Sequence, residues 1–62
     1  MEQTLRIELQ YRNMRKPIFY GYFYNVDIEE IERNMKGNLE DHPVVLIYKR
    51  RGKKPIYSFM GW

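Results

Sequence analysis

The spacing of apolar residues predicts a β-hairpin in the first part of the chain. Between residues 4 and 11, every second side chain is apolar or aromatic, a pattern typical of a half-buried strand. The residues of this set are Leu5, Ile7, Leu9 and Tyr11. Residues 18–25 are apolar or aromatic on both faces and predict a second strand, which begins after Pro17. The two strands form a hairpin over residues 4–25.

The period then changes from two to that of a helix. Three apolar residues recur at i, i+3 and i+7 and form one stripe: Ile28, Ile31 and Met35. Asp27 is a suitable N-cap, and Glu30 three residues later completes a capping box. Gly37 can adopt the left-handed conformation that ends a helix. We therefore expect one short amphipathic helix over residues 27–36.

A second hairpin is predicted over residues 44–60. Residues 44–48 are apolar and rich in β-branched side chains, as in a central strand, and a returning strand begins at Pro55. Trp62 ties down the C-terminus if it packs against the core. The 62-residue chain allows one small core. The predicted fold is of the α+β class, a single ββαββ domain over residues 1–62 with a four-stranded antiparallel or mixed sheet and one helix on one face.

The two hairpins repeat a short sequence pattern. Residues 16–19 and 54–57 both read Lys-Pro-Ile-aromatic, and each follows a basic turn. This repeat arises either from a duplication or from the similar chemistry of two hairpins in a chain rich in Lys and Arg. A full crossover by the helix makes its flanking strands parallel, which places the two basic turns at opposite ends of the sheet.

A single short helix leaves the second face of the sheet open. A helix over residues 27–36 is about 15 Å long and covers one side of a four-stranded sheet. Gly21 assigns the faces of the second strand, because a missing side chain in a strand often marks close approach by another backbone. We therefore expect Phe19 and Phe23 in the core under the helix. The other aromatic set then forms a row on the open face: Tyr20, Tyr22 and Tyr24.

Residues from the other strands accompany this tyrosine row. Arg6 points away from the apolar side of the first strand and is expected beside the tyrosines. One of the registers available to the second hairpin adds four more side chains to the open face: Val45, Ile47, Tyr57 and Phe59.

Charge and composition narrow the classes of function. The chain has 11 Lys and Arg against 8 Asp and Glu, a formal net charge of +3, which favours polyanions or acidic proteins as partners. It has no Cys, so neither disulfides nor a thiolate metal site are expected. No apolar run approaches the length of a membrane span, and the first ten residues lack the pattern of a signal peptide. We expect a soluble, cytoplasmic protein without a membrane partner.

The sequence contains no recognisable catalytic motif. His42 is the sole histidine, and Ser58, the sole serine, lacks the glycines of a nucleophile elbow. The four glycines are isolated from one another, so they form no phosphate-binding loop. We therefore expect a protein that is not an enzyme, with no cofactor, metal or small-molecule substrate.

Three hypotheses account for the tyrosine row. The first is structural, in which the rings pack as cross-strand pairs and the charged turns only prevent aggregation. The second is nucleic-acid binding, in which the rings stack on the unpaired bases of RNA or single-stranded DNA and the basic turns hold phosphates. The third is protein binding, either as a homodimer or as a phage or mobile-element inhibitor that occupies a larger partner, such as a host nucleic-acid enzyme or a defence protein.

We favour nucleic acid as the partner. The expected contact residues are the tyrosine row and the following basic side chains: Arg6, Arg12, Arg15, Lys16, Lys49, Arg50, Arg51, Lys53 and Lys54.

Overall fold

Residues 3–61 are described by a computed structural model and form a four-stranded antiparallel sheet with one helix. The elements, in chain order, are β1 (Thr4–Gln10), β2 (Ile18–Tyr24), α1 (Ile28–Met35), β3 (Val44–Lys49) and β4 (Tyr57–Met60). The strands lie in the order β2-β1-β3-β4, and all three pairings are antiparallel. The small α+β fold is confirmed, the sheet is antiparallel and not mixed, and the order of elements fits the predicted layout.

The helix carries the chain from the outer strand β2 to β3, across β1. Because β2 and β3 are both antiparallel to β1, they run in the same direction. The first basic turn, residues 12–16, therefore lies at the end of the sheet where β2 begins. The second basic turn, residues 49–54, lies at the opposite end, where β3 finishes. This arrangement agrees with the prediction for a full crossover.

The core lies between α1 and the two central strands. Alternate residues of β1 and β3 are buried, and α1 adds two more to the same cluster: Leu5, Ile7, Leu9, Val45, Ile47, Ile31 and Met35. Val26 and Leu39 pack against this cluster from the segments that flank the helix. We call the side of the sheet that contacts α1 the helix face, and the other side the open face.

The helix begins and ends close to the predicted residues. Asp27 occupies the N-cap with an extended backbone, but its side chain makes no capping hydrogen bond, so the predicted capping box is wrong. The backbone carbonyl of Asp27 accepts instead from the N–H of Ile31 at 3.0 Å. Gly37 has a φ of 83° and ends the helix in the left-handed conformation, as predicted. Lys36 forms an i,i+4 ion pair with Glu32 at 3.9 Å.

The register of the second hairpin turns its aromatic residues towards the helix. Phe59 pairs with Val45, and Tyr57 pairs with Ile47. Directly opposed residues of an antiparallel pair share a face, and both Val45 and Ile47 are buried in the core. The expectation that these four residues join the open face is therefore wrong. The hydroxyl of Tyr57 donates to a carboxylate oxygen of Glu32 and so connects β4 to α1.

The closest approach to a glycine occurs near the C-terminus and not in β2. A Cβ at Gly61 would lie 2.7 Å from Leu39 Cδ1 and 3.3 Å from Val45 Cγ2. A Cβ at Gly21 would meet nothing within 4 Å, so the close contact expected there is wrong. Gly61 is also held by its N–H, which donates to the carbonyl of Pro43 at 2.8 Å. The packing of Trp62 lies outside the described residues.

Candidate functional site

A β-bulge in β2 decides which aromatic residues reach the open face. The pairing between β1 and β2 matches Ile7 with Gly21 but Glu8 with Phe19, so Tyr20 is an extra residue on β2. An extra residue shifts the alternation of a strand, so the side chains beyond it change face. Phe19 consequently lies on the same face as Glu8, and its side chain is 57% exposed. The prediction of Phe19 in the core is wrong.

Tyr20 is displaced to the helix side of the sheet by the same bulge. Its ring is stacked on Phe23, with the planes inclined by 7° and the centroids 6.4 Å apart. Phe23 pairs with the buried Leu5 and packs against the core, as predicted. Tyr20 therefore lies at the outer margin of the helix face, and its predicted place on the open face is wrong.

Three aromatic side chains form a line on the open face along β2. This aromatic row consists of Phe19, Tyr22 and Tyr24, which are 57%, 46% and 66% exposed. Phe19 and Tyr22 contact each other, with ring centroids 5.1 Å apart and planes inclined by 58°. Tyr22 and Tyr24 pair with Arg6 and Thr4, which alternate with the buried residues of β1. Two of the three predicted tyrosines thus lie together on the open face, and Phe19 takes the place of Tyr20.

Arg6 lies beside the aromatic row, and its guanidinium is engaged within the fold. Nη1 donates to the carbonyl of Arg50 at 3.3 Å, and Nη2 donates to the carbonyl of Gly52 at 3.0 Å. Nε lies 3.2 Å from a carboxylate oxygen of Glu8 and forms an ion pair with it. These contacts fasten the second basic turn to the sheet. They suit a residue that positions the turn.

Tyr48 fills the middle of the open face and was not selected from the sequence. Its side chain is buried, and the guanidinium carbon of Arg6 lies 4.5 Å from the centre of its ring. Burial and, secondarily, the negative charge of Glu8 raise the pKa of the Tyr48 hydroxyl. The hydroxyl is therefore neutral around pH 7. The available signal was its place in the alternation of β3, on the face opposite to Val45 and Ile47.

Positive charge is concentrated at the two ends of the open face. The first basic turn directly precedes β2, at the Phe19 end of the aromatic row. The second basic turn lies at the Tyr24 end and is held there through Arg6. All eight basic side chains predicted in the turns are exposed: Arg12, Arg15, Lys16, Lys49, Arg50, Arg51, Lys53 and Lys54.

Arg12 differs from the other cations of the first turn. It lines a shallow hollow together with Asp41 and His42. Asp41 and His42 have φ values of 63° and 48°, an uncommon left-handed pair directly before Pro43. A carboxylate close to Arg12 lowers its value as an anion contact. Arg15 and Lys16 are therefore the more informative residues of this turn.

Acidic residues are mostly separated from the open face. The helix and its N-cap carry four of them on the other side of the sheet: Asp27, Glu29, Glu30 and Glu32. Within the strands, all of which lie among the described residues, Glu8 is the one acidic residue, and Arg6 is its ion-pair partner. The open face is thus an aromatic surface with positive ends.

No protein-family model, curated protein or solved structure matches the chain. Within residues 3–61, the helix is too short and too polar to cross a membrane. In the same part of the chain, no three His, Asp or Glu side chains converge into a group that could hold a metal ion. A function must therefore be inferred from the geometry of the open face itself.

Proposed function

We propose that the protein binds single-stranded nucleic acid, RNA or DNA, through the aromatic row and the two basic turns. The observation that carries this proposal is the line of three exposed rings on one sheet face with cations at both of its ends. A cytoplasmic location stays a prediction from the sequence.

The rings supply a stacking surface for unpaired bases. Every base has an apolar face, so exposed aromatic side chains bind single strands with little dependence on sequence, at about 1–3 kcal/mol per stacked base. A strand that runs along β2 brings its bases over Phe19, Tyr22 and Tyr24 in turn. The hydroxyls of the two tyrosines stay in water or bind polar edges of the bases.

The basic turns supply contacts to the phosphates at both ends of such a strand. Arg15 and Lys16 lie beyond Phe19, and the second basic turn lies beyond Tyr24. Because four acidic residues lie on the opposite face, approach to the open face meets little negative charge. Phosphate contacts of this kind release counterions, so binding weakens as the salt concentration rises.

The neighbours of the row argue against a purely structural role. On β1, the residues opposite the row are Thr4, Arg6 and Glu8, none of which covers an aromatic ring with an apolar surface. The rings remain about half exposed or more, whereas Tyr48 in the same face is buried. A row that only shielded the sheet would be covered in the way that Tyr48 is.

A matched pair of tyrosine variants tests the stacking surface. Tyr24→Ala removes a ring from the open face, and Tyr20→Ala removes a ring of similar exposure from the helix side of the same strand. Fluorescence anisotropy with labelled RNA and DNA strands of about 12 nucleotides, of mixed sequence, measures the Kd. We expect Tyr24→Ala to weaken binding by about 5- to 100-fold and Tyr20→Ala to change it less than about twofold.

A matched pair of charge variants tests the phosphate contacts. Arg15→Gln with Lys16→Gln removes two cations beside the aromatic row, and Arg33→Gln with Lys36→Gln removes two from the helix. The first pair should reduce the slope of log Kd against log salt by about 1, and the second should leave it nearly unchanged. If native protein binds neither strand at about 50 mM salt, the proposal is rejected and a protein partner becomes the leading hypothesis.

A further inference from the structure

The outer edge of β2 is an unprotected strand edge. Within the described residues, β2 is first in the sheet order and pairs with β1 on one side only. It is seven residues long, all uncharged. Edge strands usually avoid pairing with other chains through short length, charged side chains or Pro. Apart from its bulge, β2 has none of these protections.

Backbone groups of β2 point outward from this edge. The N–H of Asn25 donates to the carbonyl of Gln3 at 2.8 Å. In an antiparallel pair, bonded and non-bonded residue pairs alternate, so Phe23 and Gly21 also bond towards β1. The N–H and C=O groups of Tyr22 and Tyr24 then face away from the sheet, where a further strand can pair with them.

The other edge of the sheet is protected. β4 has four residues and follows directly after Lys53, Lys54 and Pro55, apart from Ile56. A short strand next to cations and a proline is a poor template for pairing. The two edges of this sheet therefore differ in their capacity to bind another strand.

We propose that β2 pairs with β2 of a second copy of this chain in the antiparallel direction, which joins two sheets into one of eight strands. The flanking charges favour this occupant and this direction. An antiparallel pair centred near Gly21 or Tyr22 brings the residues before one β2 next to those after the other. Arg15 and Lys16 of each copy then face Asp27 and Glu29 of its partner, and the two-fold axis repeats this attraction. Parallel pairing would bring like charges together.

This inference is independent of nucleic-acid binding. The pairing uses the backbone edge of β2, and the open face remains accessible. In the dimer, the two aromatic rows lie side by side on one continuous surface. The dimer is therefore tested without nucleic acid, so its failure and that of the proposed function are distinguishable.

Charge reversal tests the attraction at the ends of the strand pair. Sedimentation equilibrium of native protein should give twice the monomer mass. Arg15→Glu with Lys16→Glu, or Asp27→Lys with Glu29→Lys, should each weaken the dimer at least about tenfold, because like charges then meet twice. The variant with all four changes should recover most of the affinity. Circular dichroism checks that each variant retains its fold.

A proline pair tests the strand edge itself. Tyr22→Pro removes an outward N–H from β2, and Ser58→Pro removes the equivalent outward N–H from β4, where Pro43 and Gly61 form the bonded pair. Tyr22→Pro should give monomer, and Ser58→Pro should leave the dimer intact. If Tyr22→Pro does not fold, the charge-reversal series decides the question.

Three results overturn the proposal. The first is native protein that stays monomeric up to millimolar concentration. The second is a dimer that survives both charge reversals. The third is a dimer that resists Tyr22→Pro but dissociates in Tyr24→Ala, because that pattern indicates contact between open faces and not between strand edges.

Discussion

The first hairpin carries aromatic side chains outward, and the second turns its own towards the helix. Both contain Lys-Pro-Ile-aromatic after a basic turn, yet the matching aromatics, Phe19 and Tyr57, lie on opposite faces of the sheet. The cause is local, because an extra residue at Tyr20 reverses the alternation of β2 and no such shift occurs in β4. A repeated sequence pattern thus serves packing in one hairpin and exposure in the other. Whether the repeat reflects duplication is left untested by this difference.

The largest contrast is expected between the two phenylalanines. Phe59 packs against the core, so Phe59→Ala should lower the free energy of unfolding by about 2–4 kcal/mol. Phe19 contacts Tyr22 on an open surface, so Phe19→Ala should cost about 1 kcal/mol or less. Urea unfolding followed by circular dichroism measures both values. Equal losses would show that the two hairpins do not differ in the way described.

A second contrast uses the two strand-associated glycines. Gly61→Ala places a methyl group against Leu39 and Val45 and should destabilise the fold by about 1–3 kcal/mol. Gly21→Ala enters open space and should be neutral, or stabilising by up to about 1 kcal/mol through the unfolded chain. Thermal unfolding distinguishes them. A large loss at Gly21 would mean that the bulge requires glycine for its backbone.

The smallest effect concerns the hydrogen bond from Tyr57 to Glu32. This bond holds the pKa of the Tyr57 hydroxyl above its ordinary value of 10.0, with burial and the charges of Glu32 and Glu29 acting in the same direction. A raised folded-state pKa means that the contribution to stability is fully present below pH 10 and is lost as the pH rises through the folded-state pKa. Tyr57→Phe should lower Tm slightly at pH 7.

A pH series of the same two proteins completes this measurement. The difference in Tm between native protein and Tyr57→Phe should shrink as the pH passes 10. Tyr24→Phe, which changes an exposed ring without this bond, is the control. A difference that is independent of pH would contradict a role for the Tyr57 proton.

The elements of this fold were predictable from local periodicity. The alternation in β1, the helical stripe of α1 and the left-handed Gly37 each depend on neighbouring residues and are confirmed. The faces of β2 were not predictable by counting alternate positions, because a bulge adds one residue to the count. Gly21 did signal an irregularity, since glycine within a strand also marks bulges, but it was interpreted as a close contact.

Long-range contacts explain the remaining differences. The partners of Arg6, Arg50 and Gly52, lie more than 40 residues away in the chain, so nothing near Arg6 indicates them. The face of β4 depends on its pairing with β3, which fixes Tyr57 and Phe59 beside buried residues. The basic turns were identified from composition alone because charged turns are exposed in almost any register.

The fastening of the second basic turn by Arg6 has a consequence for the cost of association. A loop of lysines and arginines in free motion must give up much of its conformational entropy when it grips a ligand, and that loss subtracts from affinity. Here two backbone carbonyls of the loop are already held by a guanidinium that is itself fixed by Glu8 and Tyr48. Much of the backbone ordering has thus been completed during folding, which leaves mainly the side-chain rotamers to be fixed on encounter.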